Sequence, residues 1–240
     1  MPAVFNPDTG GKVNPVLGRA TEKDVPAPAP APYRPPMTRA DGAPVRIREM
    51  DEGDAEAVAA VRVLGWRVAY DGLMPRAYLA GLSIPEQAAA QRARLRRRPP
   101  AVRDLVAERA GTVVGWACVG PAPAATTPPD RNAAPRPEPD TTAHPAPDGP
   151  GPEPAPVGEL FALYVTPQLI GTGIGHALMT AALKHAREAG FGELRLWVVR
   201  GNTRAQRFYT RAGFTPDGTE QTDEVDGVPV PELRYRRTLG

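Results

Sequence analysis

The chain predicts an α/β (α+β) fold, a mixed sheet flanked by helices, and three observations carry that expectation. An apolar run, "VGELFALYVTP", is followed by the turn "GTGIG", an amphipathic helix and a second apolar run, "ELRLWVV". Strand, helix and strand in that order make one parallel pair with a right-handed crossover. Upstream, "VRDLVAERAGTVVGWACVG" places two strand-like stretches on either side of Ala110-Gly111, the pattern of an antiparallel hairpin. Two helical segments lie before that hairpin and a short one near the end, so helices cover a sheet with both kinds of pairing.

Taken in order, residues 1–44 are rich in proline and alanine, as in "VPAPAPAPYRPP". Such a segment buries too little apolar surface to offset its ordering entropy, and it reads as a disordered tail. Val45 and Ile47 alternate with Arg46 and Arg48, a half-buried strand. Asp51 is a good helix N-cap with Asp54 three residues on, and Val58, Val61, Leu64 and Val68 recur at helical spacing. After the loop "DGLMP", a second helix runs over 84–97 and stops at a proline pair. Its basic end, "RLRRR", reads as a solvated helix terminus. The hairpin strands span 105–108 and 112–119. Residues 120–156, mostly Pro, Ala, Asp and Thr, read as a disordered insertion, because strand-like sequence resumes beyond them. The strand at 158–165 is apolar on both faces and therefore central. Ile174, Ala177, Leu178 and Ala181 form the buried stripe of the next helix, which Gly190 stops. A strand at 193–199, a short helix from the Asn202 cap to Gly213, and a last strand at 232–239 complete the order.

Composition excludes several classes. There are 29 basic and 27 acidic residues, a net charge of +2, too little to draw the chain to nucleic acid or a membrane surface. The single cysteine, Cys118, makes no internal disulfide or zinc pattern, so no metal is expected. Neither a signal peptide nor a run of about 18 apolar residues is present, and a cytoplasmic location is expected.

Gly171, Gly173 and Gly175 crowd the turn between strand and helix. A dinucleotide fingerprint, G-x-G-x-x-G, fails because His176 or Leu178 stands where the third glycine is required. A P-loop fails because no Gly-Lys is followed by Ser or Thr. A short glycine turn that opens a helix still offers unpaired N–H groups and the positive end of the helix dipole, which favours a diphosphate.

Downstream, Asn202, Ala205, Tyr209, Gly213 and Phe214 spell N-x-x-A-x-x-x-Y-x-x-x-G-F. With the glycine turn, this block resembles the GNAT family of N-acetyltransferases over 45–119 and 157–238. The resemblance implies one domain over 45–240, interrupted by the 120–156 insertion, and a strongly twisted sheet whose two central strands splay apart. It also implies acetyl-CoA as donor. The diphosphate would lie on Gly171, Thr172, Gly173, Ile174 and Gly175, with the pantetheine arm along Leu163, Tyr164 and Val165. Asn202, Ala205 and Tyr209 would approach the arm and the sulfur. The family's loop, [RQ]-x-x-G-x-[GA], puts Ile170 where a polar residue is usual, so the grip there rests on backbone amides.

The reaction implied is acetyl transfer to a primary amine by direct attack, with no acyl-enzyme. Tyr209 would be the acid, the Val165 N–H the oxyanion donor, and Glu159 the base through a water, with Glu232 a second candidate. Trp66 and Tyr70, four apart on one helix face, would border the acceptor, a small molecule or a peptide. The alternative is a non-catalytic acyl-CoA-binding module whose proline segments contact proteins. A homodimer is left open.

Overall fold

Strands form at Val45–Glu49 (β1), Arg103–Arg109 (β2), Thr112–Pro121 (β3), Val157–Val165 (β4), Glu193–Val199 (β5), Thr215–Val225 (β6) and Val228–Thr238 (β7). Helices form at Ala55–Ala69 (α1), Arg76–Gly81 (α2), Ile84–Arg96 (α3), Ile174–Glu188 (α4) and Thr203–Arg211 (α5). This computed structural model describes residues 43–123 and 155–240. The expected tail, apart from Ala43 and Pro44, and the core of the expected insertion lie outside the described residues. β3 continues through Pro121 and β4 begins at Val157, so Gly120 and Pro121 belong to the sheet and not to the insertion.

The strands make one sheet in the order β1-β2-β3-β4-β5-β7-β6. Each neighbouring pair is antiparallel except β4–β5, the parallel pair expected from the strand-helix-strand run. That pair is joined only at Val157, Gly158 and Glu159, opposite Glu193, Leu194 and Arg195. Beyond Glu159, β4 follows β3 and β5 follows β7, so the centre of the sheet opens into a wedge. A bulge adds to the divergence. Cys118 faces Ala162 but Val119 faces Leu160, which leaves Phe161 as the extra residue on β4. Such a bulge bends its strand and increases its twist.

Local chemistry sets the ends of these elements. Asp51 accepts from the Gly53 N–H at 2.8 Å, and Asp54 accepts from the Asp51 N–H at 2.9 Å, a reciprocal cap ahead of α1. Asp54 also takes both terminal nitrogens of Arg48, whose Nε reaches Glu108 at 2.8 Å, tying the cap to β1 and β2. Ala110 and Gly111 both hold positive φ, 50° and 75°, as a two-residue hairpin turn requires.

Two apolar cores lie on opposite faces of the sheet. α1, α2 and the loop between them bury Trp66, Tyr70, Met74 and Leu79 against Trp116, Phe161 and Tyr164. α4 and α5 bury Ile174, Leu178, Met179, Ala182 and Tyr209 against Leu160, Leu194 and Leu196. The face of α1 differs from expectation. Val58 and Val61 are buried, but Val68 is 54% exposed, and Val63, Trp66 and Tyr70 take the inward positions. A full helical turn separates Trp66 from Tyr70, and burying two large rings outweighs burying one valine. Two elements were not anticipated: α2, and β6, whose "TPDGTEQTDEV" is polar because it is an edge strand. The basic end of α3 is not wholly solvated. Arg94 and Arg98 turn onto the fully buried Asp104, which also accepts from the Trp116 indole at 3.0 Å.

Candidate active site

The wedge collects most of the singled-out residues. Glu159 is the last residue of β4 still paired with β5, so its carboxylate stands where the strands part. It is 7% exposed. Burial, and then the nearby Glu232 carboxylate, push it up from 4.5 to about 7, against a smaller downward pull from Arg195 and Arg234. Sheet register puts Glu159, Arg195, Val199 and Glu232 on one face. Glu232 is fully buried on β7 and accepts from Gln221 Nε2 at 2.7 Å; burial raises its proton affinity as well. A shallow polar groove of about 250 Å³, lined by Glu193, Arg195, Asp217, Arg234 and Arg236, runs along the same face.

Among the described residues, the open edge of β4 carries unclaimed backbone. The Thr166 N–H donates to the Val114 carbonyl at 2.9 Å, which fixes its direction toward β3. Alternation along a strand then turns the polar groups of Val165 and Leu163 toward the wedge, where no β5 partner meets them. Past Val165 the chain makes a single 3₁₀ turn, Pro167–Leu169, and enters the glycine turn. Gly171 and Gly173 both hold φ of +90°, and a side chain built on either would meet only open space. Both positions thus require glycine for conformation and leave the backbone bare. Gly173 caps α4 without a side-chain hydrogen bond, and Ala177 N–H is the first to reach back to it, at 3.0 Å. The amides of Ile174, Gly175 and His176 therefore have no helical acceptor. Gly175 has ordinary helical geometry, and a methyl there would touch Phe208 at 3.5 Å. Ile170 is 42% exposed, so the position that lacks a polar side chain faces solvent. Thr172 Oγ1 is engaged by the Leu169 carbonyl at 2.7 Å.

On the α5 side, Asn202 Oδ1 accepts the Ala205 N–H at 3.1 Å, the expected cap, which leaves the Asn202 amino group for other contacts. Ala205 is half-buried against the core beneath α5. Tyr209 packs edge-on against Phe208 (5.4 Å) and Phe214 (6.1 Å). Burial, and then the nearby Tyr164, hold its proton well above the ordinary phenol range. Tyr209 is therefore a neutral hydroxyl at any physiological pH, close to the Tyr164 side chain.

The opposite wall is aromatic. Trp66 meets Tyr70 edge-on at 5.6 Å and Tyr78 at 6.3 Å, and Tyr164 stacks on Trp116 at 6.0 Å. Burial pushes Tyr164 up to about 12 and Tyr70 well above the ordinary phenol range, each acting on the other. The Tyr164 side chain belongs to this wall as much as its backbone belongs to the wedge, a role the sequence reading did not give it. Tyr78 and Arg62 were passed over as well, although Arg62, Trp66 and Tyr70 recur every four residues on α1. Cys118 is buried, and burial with Asp104 alongside raises its proton affinity far beyond that of a reactive thiol. Among the described residues no group of three or more His, Cys, Asp or Glu could hold a metal ion. No described helix is long and apolar enough to cross a membrane.

Comparison with known proteins bears on this geometry. Residues 69–214 match the model of the Acetyltransferase (GNAT) family. A mycothiol acetyltransferase from Parafrankia sp. is 43% identical over 72 residues, 30% of this chain but only 22% of that protein's length. Matches to other mycothiol acetyltransferases also span about a quarter of their length or less. Among solved structures, the PaiA N-acetyltransferase of Thermoplasma acidophilum in complex with coenzyme A aligns with a TM-score of 0.54 at 20% identity. It covers 81% of this chain and 99% of that one. A ribosomal-protein-alanine N-acetyltransferase from Brucella melitensis aligns at 0.53 and 23% identity over the same shares. At these identities the structures report the fold.

Proposed function

Because this chain belongs to the acetyltransferase (GNAT) family, we propose that it moves the acetyl group of acetyl-CoA to a primary amine by direct attack. Acetyl-CoA supplies the activated acetyl thioester. The wedge fits it: bare glycine backbone and free amides at the start of α4 suit the diphosphate, and the open edge of β4 at Leu163 and Val165 suits the pantetheine arm. The Asn202 amino group and Ala205 would flank that arm.

The observation that carries the reading is Glu159, a buried carboxylate where the wedge begins, with its pKa moved to about 7. An alkylamine is protonated at neutral pH, since it titrates near 10.4. Glu159, ionised above about 7, takes that ammonium proton through a water, which frees the nitrogen lone pair to attack the acetyl carbon, and the second proton, lost as the carbon–nitrogen bond forms, passes to solvent. The Val165 N–H donates to the oxygen on which negative charge grows. Tyr209 gives its proton to the sulfur as the carbon–sulfur bond breaks, and solvent returns it. Glu232 supports the raised affinity of Glu159 and lines the acceptor side with Trp66 and Tyr70. The buried Cys118 has no part in this route.

The test is release of free coenzyme A thiol from acetyl-CoA across a panel of amines, peptides included. Amine-dependent release supports transfer. If acetyl-CoA raises the melting temperature but no amine gives release, the chain is an acyl-CoA-binding module instead.

A further inference from the structure

Arg62 stands one helical turn before Trp66 and two before Tyr70, on the inward face of α1. Its guanidinium carbon lies 4.8 Å from the centre of the Trp66 ring, so the stem and the head are held against the aromatic wall. It acts electrostatically on Tyr164, Tyr78 and Tyr70. Other half-buried arginines, Arg48, Arg94, Arg195 and Arg234, each hold a carboxylate. Arg62 pairs with no carboxylate among the described residues, and the leading full charge acting on it is a second cation, Arg94. Arg62 is half-buried, so its guanidinium stays within reach of solvent and is open to a ligand that brings an anion.

The acids lie elsewhere in the same region. Glu159 and Glu232 are buried on β4 and β7. Asp223, on β6, and Asp226, in the turn to β7, act on Tyr78. The acceptor region is thus polarised, with a free cation on α1 and carboxylates on the strands. We infer that the acceptor is an amine that itself carries a carboxylate, an amino-acid or peptide-like zwitterion. Arg62 holds the carboxylate, and the amine lies toward Glu159 and Glu232. A planar guanidinium braced by a ring is well suited to a two-point grip on a carboxylate.

This inference rests on the acetyltransferase reading, and its test separates the two. Thiol release is measured with a panel of amino acids and dipeptides, each beside its C-terminal amide, for the wild type, Arg62→Met and Arg62→Lys. A charge-assisted contact predicts a wild-type preference for the acid of roughly tenfold to a hundredfold in kcat/KM, mostly in KM. In Arg62→Met, which keeps apolar bulk over Trp66, the acid-to-amide ratio falls to about one, and Arg62→Lys restores part of it. Equal rates for acid and amide in the wild type, or a ratio unchanged in Arg62→Met, overturn the inference and leave the acetyltransferase reading standing. No release from any amine overturns that reading. Calorimetric titration of the same acids into the coenzyme A complex then decides the role of Arg62: binding lost in Arg62→Met supports it, and no binding, or equal binding, refutes it.

Discussion

Replacing Glu159 by glutamine should make the protein more stable and less active, with both effects set by pH. Folding moves the Glu159 carboxyl from about 4.5 to about 7. At roughly 1.4 kcal/mol for each tenfold change in proton affinity, ionising it inside the fold costs about 3 kcal/mol. The folded-state value lies above the unfolded one. The favourable contribution is therefore fully present below about 4.5 and lost as pH rises through about 7. Glutamine fills the same space and never ionises. Thermal melts of wild type and Glu159→Gln should coincide below about pH 4.5, diverge as pH rises from there to about 7 and stay a constant distance apart above it, the variant gaining up to about 3 kcal/mol, or roughly 6–12 °C at this chain length. Glu232, Arg195 and Arg234 all act on the same carboxyl, so part of the gain returns when Glu232 adjusts. Over the same range the wild-type rate should climb about tenfold for each pH step below about 7 and level off above it. In Glu159→Gln the rate should fall by about two orders of magnitude and lose that inflection. Parallel melting curves at pH 5 and pH 9 would refute the burial of the charge. A wild-type rate flat from pH 6 to 8 would refute the assignment of the base.

Tyr209→Phe keeps the ring between Phe208 and Phe214 and removes only the hydroxyl, so stability should hold while the maximal rate of thiol release falls about a hundredfold; an unchanged rate removes Tyr209 from the chemistry. Gly173→Val places a β-branched residue at φ of +90° and covers the bare amides, and calorimetry should show coenzyme A affinity falling more than about tenfold. Ile170→Arg supplies the polar side chain that the exposed position lacks, and affinity should rise severalfold at low salt and lose that gain as salt increases. Asp104→Ala strips the acceptor from Arg94, Arg98 and Trp116 in the core, and denaturant unfolding should show a loss of about 3–5 kcal/mol with coenzyme A affinity in the surviving folded protein unchanged.

What the sequence made legible follows the range of the forces involved. The caps at Asp51 and Asn202 and the glycines at 171, 173, 190 and 213 depend on neighbours within a turn, and each sits in the structure as its spacing implied. The parallel pair was legible because an apolar strand, a helix and another apolar strand admit one handedness. β6 escaped because an edge strand can be polar at nearly every position, and pairing with β7, not its own composition, makes it a strand. Val68 faces outward against expectation because the inward face of α1 is chosen by the wall it meets, Trp116 and Tyr164, which are far along the chain. The site divides along the same line. Its cofactor side is backbone geometry written locally in "GTGIG". The state of Glu159 instead follows from the wedge, from burial and from Glu232 some seventy residues away, and no spacing within the strand encodes any of these. Arg62 is the sharper case. Read along α1 it is an ordinary arginine at a helical repeat; only the assembled wall shows a guanidinium over a ring with no carboxylate partner among the described residues. In the proposed reading donor recognition is thus local and acceptor recognition is tertiary, which is why the sequence pointed to coenzyme A while the acceptor had to be inferred from the fold.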